Sequence, residues 1–448
     1  MNAKSRPASN RAAWIGFGLM ALALTWVGQA QSWSLSLTIL NYGVIAAIMS
    51  LGLNMQWGYA GLFNVGVMGF AALGGLAVVL VAMPPTTEAW NAGGIGMLTA
   101  LMMALVTTLA AVLAFRLSRP GLLRRVIMTA IIVGGILASR YFFDPAVELI
   151  EAVNPSKTGY LGGAGLPVLL SWVVGGCFAA AAAWLIGKVT LGLRADYLAI
   201  ATLGISEIVL SVLRYEEWLA RGVNNVNGLP RPVPYEIEIQ ESAWGNIWAE
   251  HFGVAVQDFA SVFVKLCYFG LSVSVLLIVF WLAQIALRSP WGRMMRAIRD
   301  NEAAAHAMGK DVKSRHLQVF VIGSAVIGVA GAMMVTLDGQ FTPNSYNPLR
   351  FTFLIWVMVI VGGSGNNLGA ILGGLLIWFF WVQAEPIGLW LMQTLTAGMS
   401  ADNALRVHLL ESAAHMRLIV MGVILLLALR FRPHGLLPEA GASRGLQP

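Results

Sequence analysis

The chain has 448 residues, of which 58% are hydrophobic and only 11% charged, with 49 glycines and a mean hydropathy of +0.74. That balance excludes an ordinary soluble domain, and long apolar runs recur along almost the whole length, many near the ~20 residues that cross a bilayer as a helix. The formal charge of +7 is no sign of nucleic-acid binding, because Lys and Arg gather on the cytoplasmic side of membrane proteins.

The sequence therefore predicts an all-α polytopic membrane protein, a single transmembrane domain over 1–448. In chain order, twelve apolar spans are expected at 12–31, 33–53, 59–82, 95–115, 123–143, 164–187, 195–213, 259–287, 316–337, 350–363, 367–383 and 413–430. The start, MNAKSRPASNRAAWIGFGLMALAL, has the basic flank and apolar run of a signal peptide, and GQA at 28–30 is a passable cleavage site. A second span follows at once, which favours a first membrane helix instead. The segment 385–400 reads as a surface or re-entrant helix. Cys177 and Cys267 each sit inside an apolar run and read as packed core residues rather than a disulfide or a metal site.

Charge orients these spans. Arg116, Arg119, Arg124 and Arg125 form one basic connection, Lys188 and Arg194 a second, and Arg430 and Arg432 close the series. Between Arg288 and Arg315 lie seven basic residues against three acidic ones. With the N-terminus inside, alternate spans place all of these on the cytoplasmic side, and both termini are cytoplasmic. The connection 214–258 is then an external loop, with three Arg and no Lys against seven acids. Within it, RPVPYEIEIQ reads as a short strand pair or as a plain solvated connector.

Two stretches interrupt the helical pattern. LGLNMQWGYAGLFNVGVMGFAALGG (51–75) interleaves Asn54, Gln56 and Asn64 with glycines at membrane depth, and VGGSGNNLGAILGG (361–374) repeats the theme. Both read as broken helices, which a bilayer tolerates only where protein or a wet cavity surrounds them. Paired interruptions point to a substrate pathway, and tight glycine packing or a plain turn is the plainer alternative. Asn54, Gln56, Tyr59, Gly362 and Gly363 are candidate pathway residues. Trp57 is read as a packing aromatic. Glu207, deep in LAIATLGISEIVLSV, is either a pathway carboxylate or one paired within the bundle, since charge inside a span is expensive. Asp196, at a span start, reads as a partner for Arg194 or Lys188.

The basic connection 288–315 holds a predicted helix of about five turns. Ser289 and Pro290 suit its start and Gly309 its end. At 100° per residue, Met294, Ala297, Ile298, Asn301, Ala304, Ala305 and Met308 share one face, with Arg296 and Arg299 on the other side. Such a smooth small-residue face can lie in a groove on a partner, against the protein's own spans, or on anionic lipid.

RAIRDNEAAAHAMGKDVKSRHLQVFVIGSAVIGVAGAM (296–333) resembles the coupling loop of ATP-binding-cassette import permeases, in the version of the branched-chain amino acid permease family with the larger subunit of the pair. LGLNMQWGYAGLFNVG, LRADYLAIATLGISEI (193–208), NGLP (227–230) and GGSGNNLGAILGG (362–374) extend the resemblance over most of the chain in matching order. Two departures stand out. Four residues separate Glu302-Ala303-Ala304 from Gly309, where the general importer pattern has its glycine sooner. Segments 84–160 and 231–258 are additional material.

The resemblance implies that Ile298, Glu302, Ala303, Ala304, Ala305, Met308 and Gly309 form a coupling helix seated in a cleft of a cytoplasmic ATPase. Ala303, Ala304 and Gly309 would let backbones approach, and Glu302 with the arginines would set register by charge. It also implies the partners: a second homologous permease, two ATPase subunits and a periplasmic or extracellular solute-binding protein, in the cytoplasmic (inner) membrane. The substrate expected is a branched-chain or other apolar amino acid, with urea or short amides as the alternative. No GxxxxGK[ST] occurs in the chain, so no cofactor is expected here, and ATP and magnesium belong to the ATPase. HExxH and GxSxG are absent and the six histidines are scattered, so no enzyme is expected. A stand-alone secondary transporter remains the rival from another class.

Overall fold

The computed structural model describes residues 6–118, 120–154, 158–400 and 403–439; Arg119 of the first basic connection lies outside them. The chain is built almost wholly of helices. The first part contains α1 (Arg6–Ala30), α2 (Trp33–Leu53), α3 (Val67–Ala82), α4 (Thr87–Ala89), α5 (Ile95–Leu117), α6 (Leu122–Ala152), α7 (Val168–Thr190) and α8 (Ala195–Tyr215). A connecting region follows with α9 (Glu217–Ala220), α10 (Glu236–Glu241) and α11 (Ala243–Phe252). Then come α12 (Val256–Arg288), α13 (Pro290–Asp300), α14 (Glu302–Ala307), α15 (Val312–Asp338), α16 (Phe353–Gly362), α17 (Asn367–Leu395), α18 (Ala404–Glu411) and α19 (Met416–Phe431). Among the described residues, ten helical segments are long and apolar enough to cross a membrane, and Val67–Ala82 and Arg350–Gly362 are shorter apolar helices.

The two short helices are the ones that follow or precede a chain interruption, so part of the predicted spans 59–82 and 350–363 is not α-helical. Two other expectations are corrected. The segment 385–400 is no separate surface helix: α17 continues unbroken past Pro386 to Leu395. RPVPYEIEIQ forms no strand pair; its second half is α10, which starts behind a Tyr235 backbone N–H bonded to Glu238. The strand pairing among the described residues joins β1 (Val226–Asn227) to β2 (Gln340–Phe341), antiparallel, tying the loop after α8 to the end of α15. α1 runs continuously through Gly28 and packs Met20, Leu24 and Val27 against α2 and α17.

The centre of the bundle is α15, wrapped by α2, α3 and α7. Helices in lipid gain little from apolar burial against one another, so close backbone approach decides which pairs pack. Glycine supplies it here: a methyl group at Gly74 would stand 1.9 Å from the Gly328 carbonyl oxygen, and one at Gly331 would stand 2.0 Å from that of Ala71. Gly175 of α7 completes the junction against Gly74. The α5–α6 hairpin, which includes most of the additional segment, packs mainly on itself. It joins the rest through a small cluster of Ala89, Met97, Ala146, Ile150 and Leu161.

Candidate functional site

Both predicted interruptions are present, and they meet. α2 ends at Leu53 and widens into a π-turn over Asn54–Tyr59. The chain then runs without helix to Gly66 before α3 begins. Freed backbone and three amide side chains would be costly in a bilayer without partners. The structure supplies them. Gln56, fully buried, donates from Nε2 to the Phe320 carbonyl (2.9 Å) and to Ser324 Oγ (3.0 Å), both on α15. Asn64 donates to Gln56 Oε1 (2.8 Å) and accepts from its own loop at Gly66 N (2.9 Å). Trp356 Nε1 donates to the Asn64 carbonyl (3.0 Å), while Trp57 packs beside Trp356 with the rings tilted by 58° and their centroids 4.8 Å apart.

The second interruption lies between α16 and α17. Gly363 and Gly365 have φ of 118° and 77°, which L side chains rarely adopt. Asn366 caps α17 by accepting from Leu368 N (3.0 Å) and Gly369 N (3.3 Å). Asn54 joins the two breaks: its Nδ2 donates to Asn367 Oδ1 (3.1 Å), and its Oδ1 accepts from Gly365 N (2.9 Å). Gly58 allows this closeness, since a methyl group there would lie 2.5 Å from Gly365 N.

Beneath the breaks lies the basic connection. The single predicted helix over 290–308 is in fact two, because Asn301 leaves the helical region (φ −157°) and caps a new helix by accepting from Ala304 N (2.9 Å). A helix-compatible periodicity cannot reveal a break made by one capping Asn in mid-run. α13 turns Met295 and Ile298 inward, both buried. α14 buries Ala305 and leaves Glu302, Ala303, Ala304 and Met308 exposed. Gly309 ends it in the left-handed region at φ 75°. Ile298 and Ala305 therefore face the protein's own spans, while Ala303, Ala304 and Met308 face outward.

Arg299 departs from its expected place. It points inward, donating to the Gly58 carbonyl inside the first break. It also pairs with Glu439 (2.9 Å) and Asp300 (3.2 Å). Glu439 belongs to the chain end after α19, which lies under the second break: Leu436 N donates to the Val361 carbonyl (2.8 Å) and Leu437 N to that of Gly362 (3.0 Å). One guanidinium thus connects the polar loop, the first break and the segment that supports the second.

Of the other candidates, Tyr59 ends the π-turn of the first break, Gly362 and Gly363 open the second, and Glu207 lies apart on α8. Tyr59 packs with Met55 on Ala283 and Leu287 of α12. Gly362 and Gly363 are buried against Gly369 and Leu437. Glu207 is half-buried on α8, beside Ser206, which lies against Gly69. The predicted ion pair of Asp196 with Arg194 or Lys188 is not made among the described residues; Lys188 instead covers the Trp184 ring at 3.7 Å. Sequence reasoning missed Arg299, Asn367, Ser324 and Glu439 as members of this site. The adjacent asparagines in GGSGNNLG were the available signal for Asn367, whereas Glu439 lies beyond every motif.

The family model described as branched-chain amino acid transport system / permease component matches residues 156–429. The high-affinity branched-chain amino acid transport system permease protein LivM of Escherichia coli (strain K12) is 28% identical over 287 residues, covering 61% of this chain and 60% of that protein. The probable branched-chain amino acid transport permease protein LivM of Methanocaldococcus jannaschii is 25% identical over 418 residues, 90% of this chain and 93% of that protein. The probable LivH permease of the same archaeon is 27% identical over 183 residues, 41% of this chain and 50% of that protein. No solved structure matches. The matched region, more than half of the chain, holds the second break, α13–α14 and the α15 core, and the chain belongs to the branched-chain amino acid transport system permease family.

Proposed function

We propose that this chain is the larger permease subunit of an ATP-driven importer for branched-chain or other apolar amino acids. It lines part of the translocation path in the cytoplasmic (inner) membrane, with both termini inside. A second, LivH-like permease completes the path, two separate ATPase subunits bind and hydrolyse ATP, and an external solute-binding protein delivers the substrate. The family membership and the printed names of the relatives support the substrate class.

One observation carries the coupling role: α14 exposes Ala303 and Ala304 outward while its neighbour α13 holds the broken helix through Arg299. A groove on the ATPase takes the alanine surface, since small side chains permit close approach. Movement of the ATPase pair displaces α13–α14, and Arg299 passes that displacement to the Gly58 carbonyl. The break is where α2 and α3 can change their relative angle without losing a regular helical ladder, and rocking them alternates access.

The test is affinity purification of the tagged chain from native membranes in mild detergent, with Ala304→Trp in parallel. The wild-type chain retains a Walker-motif ATPase and supports uptake, and Ala304→Trp loses both. Recovery of the chain alone, or normal association and uptake by Ala304→Trp, would overturn the proposal.

A further inference from the structure

A cavity of about 280 Å³ opens at the far end of the bundle, between α2, α12, α15 and the loop before α10. Lys265 and Asp338, which line it, are 23 and 26 residues from Arg288 and Val312, the ends of α12 and α15 nearest the coupling pair. At 1.5 Å per residue that places the cavity roughly 35–40 Å from α13–α14. It is separate from the joined breaks, and its volume lies just below the range usual for small-molecule sites.

Its lining carries both signs of charge. Asp338, the last residue of α15, accepts from the Tyr42 hydroxyl and has no ion pair among the described residues. Lys265 of α12 has none either; its ammonium donates to Ser34 Oγ and to the Ser34 carbonyl. Arg231, on the loop that closes the cavity, pairs with Glu236 at the start of α10 at 3.4 Å. Asn41 also lines the cavity. It is fully buried, and its Nδ2 donates to the Leu37 and Lys265 carbonyls (both 3.0 Å). Those two acceptors fix which end of the amide is oxygen. The oxygen is left without a partner.

Asp338, at the end of its helix, is exposed and Lys265 is half-buried, so both charges are open to a partner from outside. A ligand with an ammonium and a carboxylate on one carbon pairs both at once. Its ammonium donates to Asp338, and its carboxylate accepts from Lys265, with Arg231 close by over Gly339. A simple anion or cation would satisfy one sign and leave the other. Val264 and Leu337 offer apolar wall for a hydrocarbon side chain.

We infer that this cavity is a binding site for a zwitterionic α-amino acid, the first station of the path at the end opposite the coupling helices. The choice of amino acid among zwitterions rests on the permease reading above; the site itself rests on the lining. No relative's name or family description assigns a site here.

The probe is tritiated L-leucine, bound to the full-length chain purified with whatever accompanies it from native membranes. Saturable binding is expected. Asp338→Asn and Lys265→Met each weaken it at least about tenfold, as loss of one charge-assisted contact requires. Isoamylamine, lacking the carboxylate, and 4-methylpentanoate, lacking the ammonium, compete at least about tenfold more weakly than leucine. Thermal unfolding checks both variants, and Arg231→Gln, on the loop, replaces Lys265→Met if that variant does not fold. Undiminished binding in the folded variants, or equal competition by the amine or the acid, would sink the inference. Preparations that retain an ATPase yet bind no leucine overturn the site and leave the importer reading standing. Leucine binding to a chain that carries no ATPase does the reverse.

Discussion

Arg299 donates a hydrogen bond to the backbone carbonyl of Gly58, 241 residues earlier in the chain. It is a contact between a charged side chain on a polar loop and a carbonyl that the first break leaves without a regular helical partner. Hydrogen bonds from a charged donor contribute about 1.5–3 kcal/mol, more than a neutral pair. The contact therefore gives the loop a mechanical hold on the interrupted helix.

Replacing that guanidinium separates coupling from assembly. Arg299→Gln is expected to retain the ATPase in purification, because Ala303 and Ala304 are unchanged, and to lower leucine uptake about tenfold or more. Arg299→Lys does not restore uptake, since a Lys ammonium ends nearer the backbone than the Arg299 Nη1 that reaches the Gly58 carbonyl. Uptake assays beside quantified ATPase recovery check both. Loss of ATPase recovery in parallel with uptake would contradict the relay.

Glu439 has a smaller part. Its pair with Arg299 is partly exposed, and such pairs contribute about 0–1 kcal/mol. Glu439→Gln should leave uptake within about twofold of wild type, and a double-mutant cycle with Arg299→Gln should give a coupling energy below about 1 kcal/mol. A cycle energy of several kcal/mol would move the centre of the relay from Gly58 to the chain end.

Asn54 is the residue that joins the breaks. Asn54→Leu removes both bonds and leaves Gly365 N and Asn367 Oδ1 buried without it, a cost of about 1–3 kcal/mol for each orphaned group. The expected outcome is a clear fall in the unfolding temperature in detergent, larger than for Asn54→Asp, which keeps an acceptor for Gly365 N. Equal stability of Asn54→Leu and wild type would show that the breaks are held by other contacts.

Two glycine-to-alanine changes should have opposite signs. At Gly363, φ is 118° and the added methyl would stand 2.3 Å from the Leu437 carbonyl oxygen. Gly363→Ala is expected to cost about 1–3 kcal/mol. At Gly18, within α1, nothing lies within 4 Å of the added methyl, and Gly18→Ala should stabilise by up to about 1 kcal/mol through helix propensity. Thermal unfolding of the two variants side by side reads both.

The local pattern determined much of this protein. Apolar runs, their lengths and the glycine-asparagine stretches around 54–66 and 362–367 named the helical class, the interruptions and the polar loop, because each depends on neighbours within a few turns. Asn301 was legible as a residue but not as a cap, since RMMRAIRD before it and EAAAHA after it keep one helical period and only the backbone turn at φ −157° reveals the break. Arg299 was legible as a surface charge, since a helical wheel assigns faces without knowing what lies beneath them. Only the tertiary structure decided that the two breaks share Asn54, that the segment around Leu436 and Leu437 lies under the second break, and that Asp338 and Lys265 face one cavity. Those are meetings of residues tens or hundreds of positions apart. They arise where glycines let α2, α3, α7 and α15 approach to backbone contact, and periodicity along one helix carries no information about which helix it will touch.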